Sequence, residues 1–232
     1  MMIDTIKYLL RQFLFILLLF QSGRIIFLLY NFDKISQPGL RESYKSLVYA
    51  LPLDISSACY LTVFPFLILT IQLSFNRRIF STIIKIYYFI LIFVLAIIYS
   101  SELLIYDEWH SKLQYKAVMH LVEPSEVFES ATHSHIWKFF VFFFILTAAG
   151  YFLLKKTALA SRTMPNSNVQ KYKQILASFL FLIVGVPLYV LGIRGGIKPM
   201  AINQSSAYYS KHNLLNDAAV NSPWNLIHSI IE

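Results

Sequence analysis

The chain has 232 residues, of which 57% are hydrophobic and only 14% charged, with 20 Phe and 15 Tyr. A water-soluble domain averages about 45–50% apolar and about 25% charged residues. So little polar surface excludes an ordinary cytosolic enzyme, a disordered chain and a nucleic-acid-binding domain, and leaves an all-α polytopic membrane protein.

Basic residues outnumber acidic ones by 20 to 12, a net charge of +8. The bias of Lys and Arg toward cytoplasmic loops accounts for this excess without an acidic partner. Cys59 is the single cysteine, so neither an intrachain disulfide nor a cysteine-based zinc cluster can form. It reads as a small packing residue.

A hydrocarbon core about 30 Å thick takes about 20 helical residues to cross. Five runs are long enough: residues 6–30, 47–73, 79–105, 136–154 and 175–193. The first carries only Lys7 and Arg11 at its start, is too long for the apolar stretch of a signal peptide, and has no small-x-small exit before Tyr30-Asn31. It reads as a retained helix. Pro52 and Pro65 in the second run and Pro187 in the fifth predict kinks. The Phe-rich stretch 139–144 in the fourth faces lipid or packs in the core.

Orientation follows from the links. Lys155, Lys156, Arg162, Lys171 and Lys173 lie between runs four and five with no acid among them, and Arg77 and Arg78 lie between runs two and three. If all five runs span, these residues share a side with Lys7 and Arg11, which predicts a cytoplasmic N-terminus and an extracytoplasmic C-terminus in a cytoplasmic (inner) membrane.

The chain then divides into a five-helix membrane domain, 1–193, and an extracytoplasmic helical linker, 194–232. Within the outer loop 107–135, Leu113, Ala117 and Leu121 recur at helical spacing with Lys112 and Lys116 on another face, which predicts a short interfacial helix that Pro124 interrupts before Ser125 caps a further turn. In the linker, Gly195-Gly196 and Pro199 break the fifth helix, and residues 205–219 and 223–231 read as helical. Ser222 caps the second of these, Pro223 sits in its first turn, and Leu226, Ile227, Ile230 and Ile231 form its apolar face.

Charges inside spans are costly and mark function by default. Arg24 lies about seven residues from the outer end of the first run and Asp54 about seven from the outer start of the second. At about 1.5 Å per residue both sit roughly 10 Å deep and can pair. Glu102 and Arg194 lie at the outer ends of the third and fifth runs, and Glu108, Trp109 and Lys112 follow within about a turn of one another. These seven residues predict either an outward polar pocket for a lipid headgroup or a register-fixing ion pair with interfacial anchors around it. Across the inner halves only Arg11 and Lys85 are charged. His133 and His135 lack a suitably spaced third metal ligand and read as solvated loop, so no metal site is expected. No catalytic set and no phosphate-binding loop is present.

Several stretches resemble the N-terminal membrane region of lipoteichoic-acid-synthase-like phosphoglycerol transferases of the alkaline phosphatase/sulfatase superfamily, in their bacteroidete form. They are 24–31 (RIIFLLYN), 53–56 (LDIS), 106–112 (YDEWHSK) with 116–117 and 124–126, and 194–199 (RGGIKP) with Asn203, 207–208 and 218–221 (AAVN). Pro52 departs from the family's context before the second helix. The resemblance implies a five-helix anchor for an extracytoplasmic catalytic domain, in which a Thr nucleophile and a divalent metal, usually Mn²⁺, move phosphoglycerol from phosphatidylglycerol to a glycan or glycolipid acceptor.

The chain reaches Glu232 about where that domain is expected to begin, so neither nucleophile nor metal ligands carry over, and no cofactor is expected in this chain. The expected function is a membrane-anchoring and lipid-presenting module without activity of its own. Its expected partners are membrane lipid, phosphatidylglycerol among them, and a catalytic domain in cis or in trans. The rival readings are a small transporter or flippase-like protein, which needs polar groups continuing toward the inner face, and a structural remnant.

Overall fold

The computed structural model describes residues 2–35, 39–75, 79–120, 136–157 and 170–231. All regular structure among them is helical: α1 (Met2–Tyr30), α2 (Phe32–Ile35), α3 (Leu40–Tyr49), α4 (Leu51–Phe75), α5 (Ile79–Trp109), α6 (Tyr115–His120), α7 (Ile136–Lys156), α8 (Lys171–Arg194), a 3₁₀ turn at Gln204–Ala207, α9 (Asn213–Ala219) and α10 (Ser222–Ile231). Five segments, α1, α3 with α4, α5, α7 and α8, are long and apolar enough to cross a membrane. The protein is an all-α multi-pass membrane protein. The predicted loop features at Leu121, Pro124, Ser125, His133 and His135, and the basic residues Arg77, Arg78 and Arg162, fall outside the described residues.

The spans begin or end a few residues from their predicted bounds. Each run needs a hydrophobic stretch only over the hydrocarbon core, while helical hydrogen bonding continues past it until a residue breaks the ladder. Thus α5 runs on to Trp109 and stops at His110, whose φ of 49° is left-handed. Helix α8 closes on Gly195 at φ 80°, with the Gly195 and Gly196 amides donating to the Gly192 and Leu191 carbonyls in a Schellman turn. Pro52 falls in the first turn of α4, where a missing amide hydrogen is tolerated, so it does not kink the helix interior; Pro65 and Pro187 do lie within helices.

Helix α4 is central and packs against α1 on one side and α8 on the other, while α7 packs against α5. The main core joins Phe15, Ile16 and Phe20 of α1 to Phe66, Leu69 and Leu73 of α4 and to Ile84, Tyr88 and Leu95 of α5. Helices α7 and α8 are peripheral: only 11% of each apolar window is buried, against 50% for the window in α3–α4. Their outward Phe, Leu and Val side chains face the bilayer, as a span that is apolar all round requires.

Lipid offers no hydrophobic drive for helix association, so α8 is held by close approach and hydrogen bonds. Ser178, Gly185 and Gly192 recur every seven residues along its α4 face. The Ser178 hydroxyl donates to the Thr70 carbonyl at 2.6 Å, and the Ser56 hydroxyl of α4 donates to the Ile193 carbonyl at 2.6 Å. At Gly192 a Cβ would lie 2.4 Å from Cys59 Sγ but 3.5 Å from its Cβ. Gly192→Ala is therefore expected to lower stability by about 1–3 kcal/mol through overpacking. Adding Cys59→Ala, which removes the colliding sulfur, is expected to restore most of the loss; chemical denaturation of the four members of the cycle in detergent reads the coupling.

Candidate functional site

Two ends of the bundle differ in chemistry. The distal end, where α1 and α8 finish and α4 begins, carries α3, α6, α9 and α10. Gln21, Arg24 and Phe27 recur at three-residue steps on α1, which turns them to one face. That face meets the first turn of the antiparallel α4, and so Arg24 meets Asp54.

The pair is bidentate and dry. Arg24 Nη1 lies 2.8 Å from Asp54 Oδ2 and Nη2 lies 2.9 Å from Oδ1, with the two residues 5% and 0% exposed. Further donors complete the carboxylate: Gln21 Nε2 reaches Oδ2 at 3.0 Å and Asn221 Nδ2 reaches Oδ1 at 2.8 Å. Arg24 Nε reaches the Ala218 carbonyl at 2.7 Å, and Nη2 also reaches the Ala219 carbonyl at 3.5 Å. A planar fork with an extra edge is what guanidinium offers and ammonium does not.

Lys112 makes the second knot. Its Nζ lies 2.5 Å from Glu102 Oε1 and donates to the Asp217 carbonyl at 3.0 Å and the Ser222 hydroxyl at 3.2 Å, 5.5 Å from the centre of the Phe27 ring. Ala218 and Asp217 are among the last residues of α9, whose final carbonyls lack partners within the helix. Two buried cations therefore cap the C-terminus of α9, and both belong to the membrane bundle or the turn just after it. The tail 213–231 is thereby seated on the distal end, with Asn225 Nδ2 donating to the Leu113 carbonyl at 2.9 Å and the Tyr209 hydroxyl to the Glu42 carbonyl at 2.8 Å.

Four of the seven predicted residues, Arg24, Asp54, Glu102 and Lys112, thus come together. The other three do not. Arg194 is exposed and folds back onto the Lys198 and Pro199 carbonyls, capping its own helix end. Glu108 and Trp109 are exposed on the last turn of α5, which rotates them away from the buried cluster. Lys112, expected at the border of the pocket and on a helical face apart from Leu113 and Ala117, lies in the turn after α5, where it is 5% exposed. The space left beside Arg24, Glu102 and Lys112 is about 10 Å³, the size of one water and far below that of a lipid headgroup. An open headgroup pocket at these residues is replaced by one that the chain's own tail fills.

Gln21, Asp217, Asn221 and Ser222 were not expected in the site, although Ser222 was read as a helix cap and Asn221 belongs to the resemblance. Gln21, an amide one turn before an intramembrane Arg, was the available signal. Sequence reasoning also counted only charges in the inner halves, whereas Gln12 and Gln72 are fully buried there, Gln12 accepting from the Tyr88 hydroxyl at 3.2 Å and Gln72 donating to the Ser81 hydroxyl at 3.1 Å. Among the described residues no three His, Cys, Asp or Glu side chains converge as a metal site. No protein-family profile, curated protein or solved structure matches the chain.

Two outcomes follow. Arg24→Leu leaves Asp54 buried and uncompensated, so a loss of about 3–5 kcal/mol is expected. The same variant should expose Lys211 to trypsin, and Arg24→Leu with Asp54→Leu should recover part of the stability but not the tail's protection. The second concerns pH. Burial raises the Asp217 carboxyl above its ordinary 3.8, outweighing the Lys112 charge and the Tyr106 hydrogen bond that lower it. A raised folded pKa adds stability below the ordinary value and loses it as pH rises through the raised one. The tail's protection from trypsin should therefore weaken across that acidic range, and Asp217→Asn should flatten the slope.

Proposed function

We propose that the chain is the membrane anchor of a phosphoglycerol-transferase-like system, seated in a cytoplasmic membrane with its N-terminus inside and its distal end outside. The observation that carries this reading is the convergence of four of the stretches on which the resemblance rests, 24–31, 53–56, 106–112 and 218–221: Arg24, Asp54 and Lys112 bind the 217–222 segment through the Ala218 and Asp217 carbonyls, Asn221 and Ser222. Residues far apart in sequence build one rigid joint between bundle and tail. A joint of this kind suits an anchor, because it fixes the direction in which an attached or docked catalytic domain faces the membrane. Lys155 and Lys156 at the opposite end of α7 support the assigned orientation.

No nucleophile and metal pair is assigned to this chain, so the chemistry belongs to a catalytic domain in cis or in trans. A transporter reading has less support, since the buried amides Gln12 and Gln72 tie helices together and line neither of the polar cavities at the distal end.

Deleting the gene in its host is expected to remove phosphoglycerol substituents from envelope glycans, read by mass spectrometry. Wild-type chain restores them, and Arg24→Leu restores them poorly even at matched membrane levels. Proteoliposomes holding the chain alone should release no diacylglycerol from phosphatidylglycerol. Unchanged phosphoglycerol content in the deletion strain defeats the proposal.

A further inference from the structure

A second polar cavity lies at the distal end, apart from the Arg24–Lys112 cluster. It measures about 250 Å³ and is formed between α6, α10 and the 3₁₀ turn. Its walls are tied to each other: the Tyr115 amide donates to the Ser229 hydroxyl at 2.8 Å, and the Ser229 hydroxyl donates to the Leu226 carbonyl at 2.8 Å. Among the described residues the lining includes Gln114, Lys116, Gln204 and His228, and no carboxylate. Side-chain amides, an ammonium and an imidazole can all donate to one acceptor. His228 is set in place by the Trp224 ring, stacked on it at 4.4 Å.

The surroundings are greasy. Ile227, Ile230 and Ile231 on α10 are 56%, 54% and 78% exposed, and Met119 on α6 is 50% exposed. Helix α10 turns Ser222, Pro223 and Asn225 toward the bundle and Ile227, Ile230 and Ile231 outward, while α6 buries Ala117 and exposes Met119 beside Lys116. That is the disposition of a helix lying in the membrane interface, with apolar side chains at the acyl boundary and polar groups at headgroup depth.

We infer that the cavity between α6 and α10 is a binding site for the phosphate of an anionic membrane-lipid headgroup, with Lys116 supplying the charge and Gln114, Gln204 and His228 the remaining donors. The apolar rim explains why the ligand is a lipid rather than a soluble anion: acyl chains can run along Ile227 and Ile230 while the phosphate enters the cavity. The site stands independently of the anchor reading, which rests on Arg24 and the tail's backbone.

The test uses the full chain, delipidated and returned to phosphatidylcholine nanodiscs with or without phosphatidylglycerol, with retained lipid counted by native mass spectrometry. Wild type is expected to retain phosphatidylglycerol over phosphatidylcholine. Lys116→Gln and Gln114→Glu should each weaken that retention about tenfold, the size of one lost charge-assisted hydrogen bond or one added repulsion. Both side chains are exposed, so thermal unfolding should be unchanged and confirm that the variants fold. Equal retention of the two lipids by wild type, or retention by both variants at the wild-type level, overturns the site. Inorganic phosphate is added as a competitor: weak displacement supports the lipid assignment, and displacement at concentrations matching the lipid's overturns it in favour of a soluble anion.

Discussion

A guanidinium group roughly 10 Å inside a hydrocarbon slab cannot stand alone. Arg24 is near the depth at which snorkelling to the interface becomes difficult, and it points into the bundle. Its charge demands Asp54, the fork geometry demands a particular rotation of α1 against α4, and Nε demands a further acceptor. Helix interiors spend their carbonyls on their own ladders. A helix end offers carbonyls with no ladder partner, and the end of α9 supplies one to Arg24. The tail is thus an electrostatic requirement of the bundle as much as an attachment to it.

This constraint sorts the remaining contacts. At the distal end, two small apolar clusters, Phe27 with Leu103 and Ala218, and Leu53 with Ala207, Ala219 and Val220, pack around the ion pairs and keep water from them. Dry surroundings raise the attraction of each pair and the penalty for breaking it together. Toward the proximal end the bundle relies on shape instead. Small residues on α8 let its backbone approach α4, and uncharged amides and hydroxyls bridge neighbouring helices. By contrast the rim pair Lys34–Asp107, partly exposed at 3.1 Å, contributes little either way.

The spans and the Arg24–Asp54 contact were legible because they depend on quantities a sequence displays: hydrophobic length, and charge at a depth that can be counted from a helix end. The tail's seat was not, because its acceptors are main-chain carbonyls of Asp217 and Ala218, which leave no mark in residue identity. The depth of Lys112's burial was not legible for a related reason. Its burial follows the left-handed turn at His110, a conformation that histidine adopts more readily than most residues but that its presence alone does not fix. The apolar stripe of α10 was read correctly as a stripe, but its direction depends on what it packs against. A polar bundle end reverses the usual rule and draws Asn225 inward while Ile227 and Ile230 face out.

The same reversal separates structural from available charge. Lys112 and Lys116 are one helical turn apart in sequence, yet the first spends its ammonium on Glu102, Asp217 and Ser222, and the second lies at the mouth of a cavity that no described carboxylate lines. A buried cation with all its donors engaged gains nothing by releasing them to a lipid phosphate, since the exchange would leave Glu102 unpaired in a dry site. An exposed ammonium beside unpaired amides loses only water. The headgroup site proposed at this end of the bundle therefore uses residues the fold does not need, while Arg24, Asp54, Glu102 and Lys112 are committed to holding the tail in place.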